Sequence, residues 1–335
     1  MLTNLNSSPV PPNRLVILGA HGFIASHLAR WSKDNHIECR LIGQDEVNLA
    51  DFSSAQLLSS LLREDDVIVM TSMLTPEFGL DYESVMRNLR MVETVCTALK
   101  YIKCGHFIYL SSDAVYDAEK IPLDEDSSRE PISLYALSHS AREILLGDFF
   151  QKNIPGAPLT ILRLTAIYGF GDTHNAYGPN QFVRSALTDG NIKIYGRGEE
   201  KRSFVFIDDL IRLVGLVVKN KSVGVLNVAI SPPTTFFTLA NIVRMKLNTS
   251  VRIEFLPRLV PVVHRPYKFT QIFRFIYNLG RPIGSIVHRT FVNTAIFNSF
   301  PEFRFTSLEE GISELVNAEQ KALADKEKLN QDARK

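Results

Sequence analysis

RLVILGAHGFIA, residues 14–25, is the stretch that decides the fold of this 335-residue chain. Arg14–Leu18 is a short, mostly apolar run, which predicts a buried parallel strand. Gly19 follows at once, and from Gly22 onward the apolar residues recur at helical spacing. The stretch therefore predicts a strand, a tight turn and a helix in direct succession.

The small residues of this turn fit a dinucleotide-binding site. Gly19 permits the tight turn, Gly22 lets the backbone approach a diphosphate, and Ala25 is small enough for the helix to lie close to the strand. The free N–H groups of the helix N-terminus then present a partial positive charge to the phosphates. The position between a first strand and a first helix favours this interpretation over a purely structural turn.

Strands and helices alternate through the first half of the chain. This alternation predicts an α/β protein with a doubly wound parallel sheet, the Rossmann fold, followed by a smaller C-terminal α/β lobe. We predict strands at Glu38–Ile42, Val67–Met70, Phe107–Leu110 and Leu159–Leu164, and helices at Ser53–Leu62, Tyr82–Lys100 and Leu134–Phe150.

The alternation changes after Gly169, where loops rich in glycine, asparagine and proline begin. Residues 203–230, and Leu226–Ala229 in particular, are predicted to return from the lobe to the main sheet. The predicted divisions are a flexible lead-in at 1–13, a dinucleotide-binding domain at 14–168, a substrate-binding lobe at 169–316 and a charged, fraying tail at 317–335.

The composition limits the classes of partner. The chain has 37 lysine and arginine residues against 36 aspartate and glutamate residues, a formal net charge of +1, which argues against nucleic-acid binding. No apolar run reaches about 18 residues, so no membrane span is expected. Cys39, Cys96 and Cys104 are widely spaced, which predicts free thiols in a reducing, cytoplasmic environment and no metal site.

The stretch GAHGFIASHL at residues 19–28 resembles the opening of extended short-chain dehydrogenase/reductase proteins, which include sugar-nucleotide epimerases, dehydratases and reductases. The resemblance implies NAD or NADP as cofactor, a nucleotide-sugar substrate and a homodimer. Gly43 and Gln44 stand where this family often has an acidic ribose-binding residue, which leaves NAD and NADP both open. The residues matching cofactor positions of the family are Gly19, His21, Gly22, Phe23, Ile24, Asn48, Leu49, Met70, Thr71, Asn88, Tyr135, His139 and Leu164.

Two further motifs carry the catalytic resemblance. The stretch SSDAVY at 111–116 is similar to the family's SSxxVY motif, which implies that Ser112 hydrogen-bonds the substrate hydroxyl; the alternative is a serine that caps a strand end. The stretch PISLYALSH at 131–139 is similar to PxSxYxxSK, with Tyr135 as the residue that moves the proton. His139 stands where the family has a lysine that holds the nicotinamide ribose and lowers the tyrosine pKa.

The histidine leaves three interpretations open. An imidazole is shorter than a lysine side chain and, with an ordinary pKa of about 6.5, mostly neutral at pH 7. His139 either keeps a weaker positioning role in a working enzyme, or another base carries the chemistry while Tyr135 only binds substrate, or the protein binds nucleotide without turnover as a regulator or scaffold. The intact Ser112 and Tyr135 favour the first interpretation.

Another stretch, IYGRGEEKRSFVFIDD at 194–209, is similar to a signature typical of sugar-nucleotide enzymes. The resemblance implies that Arg202 contacts the substrate diphosphate, which suits the planar fork of its guanidinium. The alternative for Arg202 is a surface salt bridge with Asp208 or Asp209. The predicted substrate-binding residues are Ser112, Asp113, Asn180, Tyr195 and Arg202.

The leading hypothesis is an NAD(P)-dependent sugar-nucleotide epimerase or reductase, in which Tyr135 takes a proton from a sugar hydroxyl while hydride passes to the nicotinamide. Asp113 has no acidic successor, which disfavours a 4,6-dehydratase. A reductase of a non-sugar ketone is a further alternative. The basic segment 251–291 is interpreted as a surface of the substrate lobe, with phosphate contacts from its arginines second and contact with an anionic membrane third.

Overall fold

A parallel sheet forms the frame of the protein. The computed structural model describes residues 2–76, 79, 81–116, 121–173, 175, 178–247, 250–257 and 286–332. The strands are β1 (Thr3–Asn4), β2 (Arg14–Leu18), β3 (Glu38–Ile42), β4 (Val67–Met70), β5 (His106–Ser112), β6 (Leu159–Leu164), β7 (Ala166–Tyr168), β8 (Asn191–Tyr195), β9 (Lys201–Arg202), β10 (Phe204–Phe206), β11 (Ser222–Val228), β12 (Thr234–Thr235) and β13 (Arg252–Leu256). The helices are α1 (Phe23–Asp34), α2 (Ala55–Leu61), α3 (Tyr82–Tyr101), α4 (Leu134–Asn153), α5 (Pro179–Asp189), α6 (Ile207–Asn220), α7 (Phe236–Lys246), α8 (Thr294–Ser299) and α9 (Leu308–Asp332).

The main sheet has the strand order β3-β2-β4-β5-β6-β11-β1. β1 is antiparallel to β11, and all other neighbours are parallel. The chain places β3 on one side of β2 and β4 on the other, so the strand order reverses at β2. In an open α/β sheet, ligands bind at the carboxyl ends of the strands beside such a reversal. The predicted doubly wound Rossmann sheet is confirmed.

Strand β2 is buried on both faces, which explains its run of apolar residues. Leu15 and Ile17 pack in the core that contains α1 and α6, whereas Val16 and Leu18 pack in the core that contains α2, α3 and α4. All four side chains are inaccessible to solvent. Because successive strand residues point to opposite faces, this one strand joins both helical layers.

Three pairs of short strands build the smaller lobe. β7 lies parallel to β10, β8 lies parallel to β13, and β9 is antiparallel to β12. Helices α5, α7 and α9 pack together beside them. From β10 the chain returns through α6 to β11, which lies beside β6 in the main sheet. This return agrees with the prediction for Leu226–Ala229.

The N-terminal residues differ from the predicted flexible lead-in. β1 pairs with β11, and the side chain of Leu2 is buried. Asn4 accepts a hydrogen bond from Ser222 and donates one to the carbonyl of Ser299. The edge of a sheet presents unpaired backbone groups, and this segment covers them. The signal for that pairing lies in β11, far away in sequence.

The C-terminal residues also differ from the prediction of a fraying tail after residue 316. Helix α9 continues without a break to Asp332. Alanine, leucine, lysine and glutamate, which dominate this stretch, are strong helix formers. Glu319 forms a salt bridge of 3.0 Å with Arg184 of α5, which ties the helix to the lobe.

The described residues allow three observations about membranes, metal ions and cysteines. None of their helices combines the length and the apolar character that crossing a bilayer requires. They also contain no group of three or more histidine, cysteine, aspartate or glutamate side chains arranged to hold a metal ion. Cys39, Cys96 and Cys104 are free thiols. Most of the basic segment 251–291 lies outside the described residues, so its interpretation stays a prediction.

Candidate active site

The glycine-rich turn lies at the switch point of the sheet. Gly19 has φ +109°, and a Cβ there would come within 2.7 Å of Thr71 Oγ1 and 2.9 Å of Ser72 N. Gly22 is the N-cap of α1, and no side chain among the described residues caps that helix. Among the described residues, a Cβ at Gly22 would meet only Gly19 O at 3.4 Å and Ala25 Cβ at 3.9 Å. Gly19 therefore serves the fold, whereas Gly22 leaves the helix N-terminus open to an anion.

The loop after β4 forms the opposite side of the turn. The hydroxyl of Thr71 donates a 2.9 Å hydrogen bond to the carbonyl of Leu18. Asn88 is buried in α3, where its side chain accepts from Leu74 N at 2.8 Å and donates to Leu74 O at 3.2 Å. Both polar groups of Asn88 thus hold the loop in place. A direct contact of Asn88 with the cofactor, which the resemblance implies, stays a prediction.

The edge beyond β3 is where an adenosine would lie if a dinucleotide binds. His21 Nε2 is 3.2 Å from Asp45 Oδ2, and a Cβ on Gly43 would come within 2.9 Å of the same nitrogen. Asn48 is exposed and accepts a hydrogen bond from Ala50 N at 3.1 Å. Leu49 is buried next to it, 7% exposed. An exposed histidine and aspartate therefore stand near the place where the family often has one acidic residue.

A cleft of about 500 Å³ opens between the two lobes. Its walls include His21–Ile24 at the start of α1, Thr71 and Met73 after β4, Ala166–Tyr168 of β7 and Gly178–Asn180 at the start of α5. Asn180 is buried and binds the backbone of Gly169 through both polar groups, at 3.1 and 2.7 Å. Asn180 therefore shapes one wall of the cleft. Leu164 lies half-buried at the end of β6, just before β7.

The catalytic motif residues converge at the carboxyl end of β5. Ser112 ends that strand, and its hydroxyl accepts a 3.2 Å hydrogen bond from Ala114 N. The short 3₁₀ turn Asp113–Val115 then packs against α4. On α4 the rings of Tyr135 and His139 meet edge to face, with centroids 4.7 Å apart. The fold thus brings the serine, the tyrosine and the histidine to one edge of the sheet.

His139 lies deep beneath Tyr135. Its Nδ1 is 2.7 Å from the hydroxyl of Tyr109 in β5, and its Nε2 is buried without a partner among the described residues. Burial, helped by the nearby charge of Arg142, lowers the pKa of His139 to about 3. The imidazole is therefore neutral well below pH 7, and it supplies no positive charge to Tyr135.

Arg142 is a component of this site that our sequence analysis missed. Its side chain is completely buried. The guanidinium donates to Ser72 O at 2.8 Å and to Met73 Sδ at 2.7 Å, and it lies 5.0 Å from the ring centre of Tyr109. Tyr135, His139 and Arg142 follow one helix face at positions i, i+4 and i+7. That spacing is the signal from which the arginine could have been found.

Behind these residues a buried ion pair fixes α4 to the sheet. Glu143 accepts hydrogen bonds from Arg163 of β6 at 2.8 Å and from Ser111 of β5 at 2.5 Å. Arg163 also donates to the hydroxyl of Tyr116 at 2.6 Å, which in turn donates to Asn227 of β11 at 2.7 Å. Because Glu143 is satisfied by these partners, its charge is compensated and its side chain holds the helix in register.

A basic pair faces Asp113 from the smaller lobe. Arg289 Nη1 donates to Asp113 O at 2.7 Å and lies 3.7 Å from Asp113 Oδ2. Burial raises the pKa of Asp113, while the charges of Arg289 and Arg202 act against that rise. Arg202 pairs with Glu200, not with Asp208 or Asp209. The predicted alternative is therefore wrong, because Asp209 is buried with Thr306 and Arg212 and Asp208 pairs with His27.

Unpartnered polar atoms support a ligand at this site. Ser72 Oγ, His139 Nε2, Arg142 Nε and Arg202 Nη1 are buried and lack a hydrogen-bond partner among the described residues. Buried polar atoms in folded proteins nearly always have partners. The first three atoms belong to one cluster, since Arg142 contacts both Ser72 and the Tyr109–His139 pair. Together with the open N-terminus of α1, they fit a dinucleotide with its diphosphate on the helix.

Tyr195, another predicted substrate-binding residue, lies on the smaller lobe with 54% of its surface exposed.

Comparisons with known proteins agree with this geometry. Residues 15–229 match the profile of the NAD dependent epimerase/dehydratase family. The N-acetyl-alpha-D-glucosaminyl-diphospho-ditrans,octacis-undecaprenol 4-epimerase of Escherichia coli O157:H7 is 22% identical over 279 residues, 80% of this chain and 80% of that protein.

Solved structures resemble the whole chain. A GDP-L-fucose synthetase from Naegleria fowleri bound to NADP superposes with a TM-score of 0.74 at 14% identity, covering 95% of this chain and 98% of that one. The UDP-glucuronic acid 4-epimerase from Bacillus cereus in complex with UDP-glucuronic acid and NAD superposes with a TM-score of 0.72 at 20% identity, covering 92% and 99%. At such identities the likeness establishes the fold.

Proposed function

The chain belongs to the NAD dependent epimerase/dehydratase family, and within it we propose that the protein is an NAD(P)-dependent epimerase or reductase of a nucleotide sugar. Family membership confirms the resemblance stated from the sequence. It also confirms the predictions of an enzyme and of NAD or NADP as cofactor. The reaction, the sugar and the roles of individual residues are our proposal.

The proposed mechanism assigns a separate role to each group of residues. The N-terminus of α1, open above Gly22, holds the cofactor diphosphate. Ser72 Oγ and His139 Nε2, which lack partners among the described residues, are available for hydrogen bonds to the cofactor. When bound, NAD or NADP supplies the nicotinamide that accepts and returns a hydride. Tyr135 Oη takes the proton of a sugar hydroxyl and later gives it back, while Ser112 Oγ hydrogen-bonds the same oxygen.

The observation that carries this proposal is the placement of two features at the carboxyl edge of one sheet. The uncapped N-terminus of α1 follows β2, and the Ser112–Tyr135–His139 group lies at the ends of β5 and α4. β4 alone separates β2 from β5 in the sheet. A binding site for the diphosphate and a group that can move a proton are thus placed on one ligand-binding edge.

The direct test is turnover. The purified protein, supplied separately with NAD, NADP, NADH and NADPH, is incubated with UDP-, GDP- and dTDP-linked sugars and keto sugars and with simple ketones, and the products are separated by chromatography. We expect conversion of at least one nucleotide sugar. Cofactor binding without conversion of any of them, together with no reduction of simple ketones, would instead indicate a nucleotide-binding regulator or scaffold. Reduction of a ketone that needs no nucleotide would indicate the non-sugar reductase.

Arg202 gives a prediction about the substrate phosphates. Its Nη1 is buried and unpartnered among the described residues, and its charge acts on Asp113 together with that of Arg289. A charge-assisted hydrogen bond contributes about 1.5–3 kcal/mol. We therefore expect Arg202→Gln to weaken binding of the nucleoside diphosphate product about 10- to 100-fold, measured by calorimetry. Arg90→Gln, an exposed change on α3, is the control. Equal affinities in all three proteins would remove Arg202 from the substrate site.

We further propose that the protein forms a homodimer through α3 and α4. Leu137 and Ile144 lie two turns apart on the outer face of α4, and both are exposed, as is Met86 of α3. Burying such a stripe against a second copy would remove it from water. We expect Leu137→Glu combined with Ile144→Glu to convert a dimer into a monomer in light scattering. Leu57→Glu on α2, also exposed, should leave the mass unchanged. A monomeric wild-type protein would contradict the proposal.

A further inference from the structure

The site contains a buried cation that the mechanism has not used. Arg142 is inaccessible to solvent. The partners of its guanidinium among the described residues are the carbonyl of Ser72, the sulfurs of Met73 and Met70 and the ring of Tyr109, and none of them is a carboxylate. A buried charge without a counter-charge is costly. A buried arginine with no carboxylate partner is therefore a candidate for a functional role.

The lysine of the family would stand at His139, and Arg142 lies close to that position on the same helix. Arg142 follows His139 by three residues on the same face of α4. The contacts form a continuous chain, from the Tyr135 ring to His139 at 4.7 Å between centroids, from His139 Nδ1 to Tyr109 OH at 2.7 Å, and from the Tyr109 ring centre to the guanidinium at 5.0 Å. His139 itself is neutral, so within this chain of contacts Arg142 is the group that carries a charge.

We propose that Arg142 is the positioning residue that replaces the absent lysine, supplying from one turn further along α4 the permanent positive charge that stabilises the Tyr135 phenolate. This inference rests on the proposed role of Tyr135 in proton transfer. Burial lowers the pKa of Arg142, and the nearby Tyr109 and Tyr135 act against that fall. An arginine suits the task because its guanidinium keeps its proton at neutral pH. Its hydrogen bond to Ser72 also joins the cation to the loop that borders the glycine-rich turn.

Other charged groups around the cluster do not take this role. Glu143, the acidic group that faces Tyr109, is compensated by Arg163 and Arg129. Tyr109 is buried, and burial raises its pKa far above the ordinary value, so it stays protonated. The charge of Arg142 acts on both Tyr109 and Tyr135. On the side of the 3₁₀ turn, Asp113 faces Arg289 and Arg202.

The expected sign follows from electrostatics. A nearby positive charge favours the phenolate and lowers the pKa of a tyrosine, so its removal raises that pKa. We expect Arg142→Met to move the rise of kcat/KM with pH upward by about one unit, which is about a tenfold loss at neutral pH. Arg142→Lys should keep the wild-type profile, and His139→Lys added to Arg142→Met should restore it. Lys152→Met, which removes an exposed charge from the same helix, should change nothing.

Two readouts separate a charge effect from a folding defect. Thermal melting and NAD(P) titration show whether each variant is folded. The pKa of Tyr135 is measured by ultraviolet absorbance against pH, as the difference between each protein and the same protein with Tyr135→Phe. This second readout needs no substrate. It therefore decides the role of Arg142 even if the wild type turns over no nucleotide sugar, an outcome that would refute only the proposed function. The inference is overturned if Arg142→Met leaves the Tyr135 titration where it is in the wild type, or if His139→Lys does not restore it.

Discussion

Tyr135→Phe is expected to lower kcat for the nucleotide sugar about 10³-fold while the affinity for NAD(P) stays within about threefold of the wild type. The phenol of Tyr135 is the proposed proton carrier, and phenylalanine keeps its ring but cannot take the proton. The edge-to-face contact with His139 depends on the ring alone, so the helix should pack as before. Steady-state kinetics and a cofactor titration measure the two quantities.

Tyr101→Phe is the matched control for this change. Tyr101 lies at the end of α3 with 72% of its surface exposed, and the loss of its hydroxyl should leave kcat unchanged. A Tyr135→Phe enzyme with more than about a tenth of wild-type kcat would mean that another base carries the chemistry. In that case Tyr135 would only bind the substrate, the second of the three interpretations that His139 left open.

Gly22→Val is expected to weaken binding of NAD(P) about 100-fold with little loss of folding stability. Gly22 has φ −76° and ψ 153°, which other residues adopt readily, and no described residue would come closer than 3.4 Å to a Cβ there. A side chain there would instead occupy the approach of the diphosphate to the helix. Overpacking of about 1–3 kcal/mol corresponds to roughly 5- to 150-fold in affinity.

Two further glycines test the specificity of that result. Gly19→Ala should lower the melting temperature, because its φ of +109° and the nearby Thr71 Oγ1 oppose any side chain. Gly147→Ala on α4 brings its Cβ within 4 Å of no described residue and should stabilise the helix by about 0.5–1 kcal/mol without changing the affinity. If Gly22→Val binds NAD(P) as tightly as Gly147→Ala does, the diphosphate does not lie at this turn.

Local patterns in the sequence predicted the frame of the molecule. The run before Gly19, the alternation of strands and helices and the spacing of Gly19 and Gly22 led to the sheet and its switch point, because each signal is contained in about thirty residues. Ser112 and Tyr135 were predicted as site residues from short motifs, and the structure packs the turn after Ser112 against the helix that carries Tyr135.

Contacts between distant segments could not be predicted in this way. Three such contacts depend on how the chain packs. They are the pairing of β1 with β11, the hydrogen bonds between Asn88 and Leu74, and the salt bridge of Arg202 with Glu200. The charge state of His139 depends on its burial, which no motif encodes. The spacing in the sequence already places Arg142 on the same helix face as Tyr135. Only the fold shows that Arg142 is buried beside Tyr109.

Hydrogen–deuterium exchange of the turn from Gly19 to Ser26, with and without saturating NAD or NADP, tests the central claim most directly. If the first amides of α1 hold the cofactor diphosphate, bound cofactor should slow exchange in this peptide more than in any peptide of α9. Binding confirmed by titration, with exchange at residues 19–26 unchanged, would contradict the account.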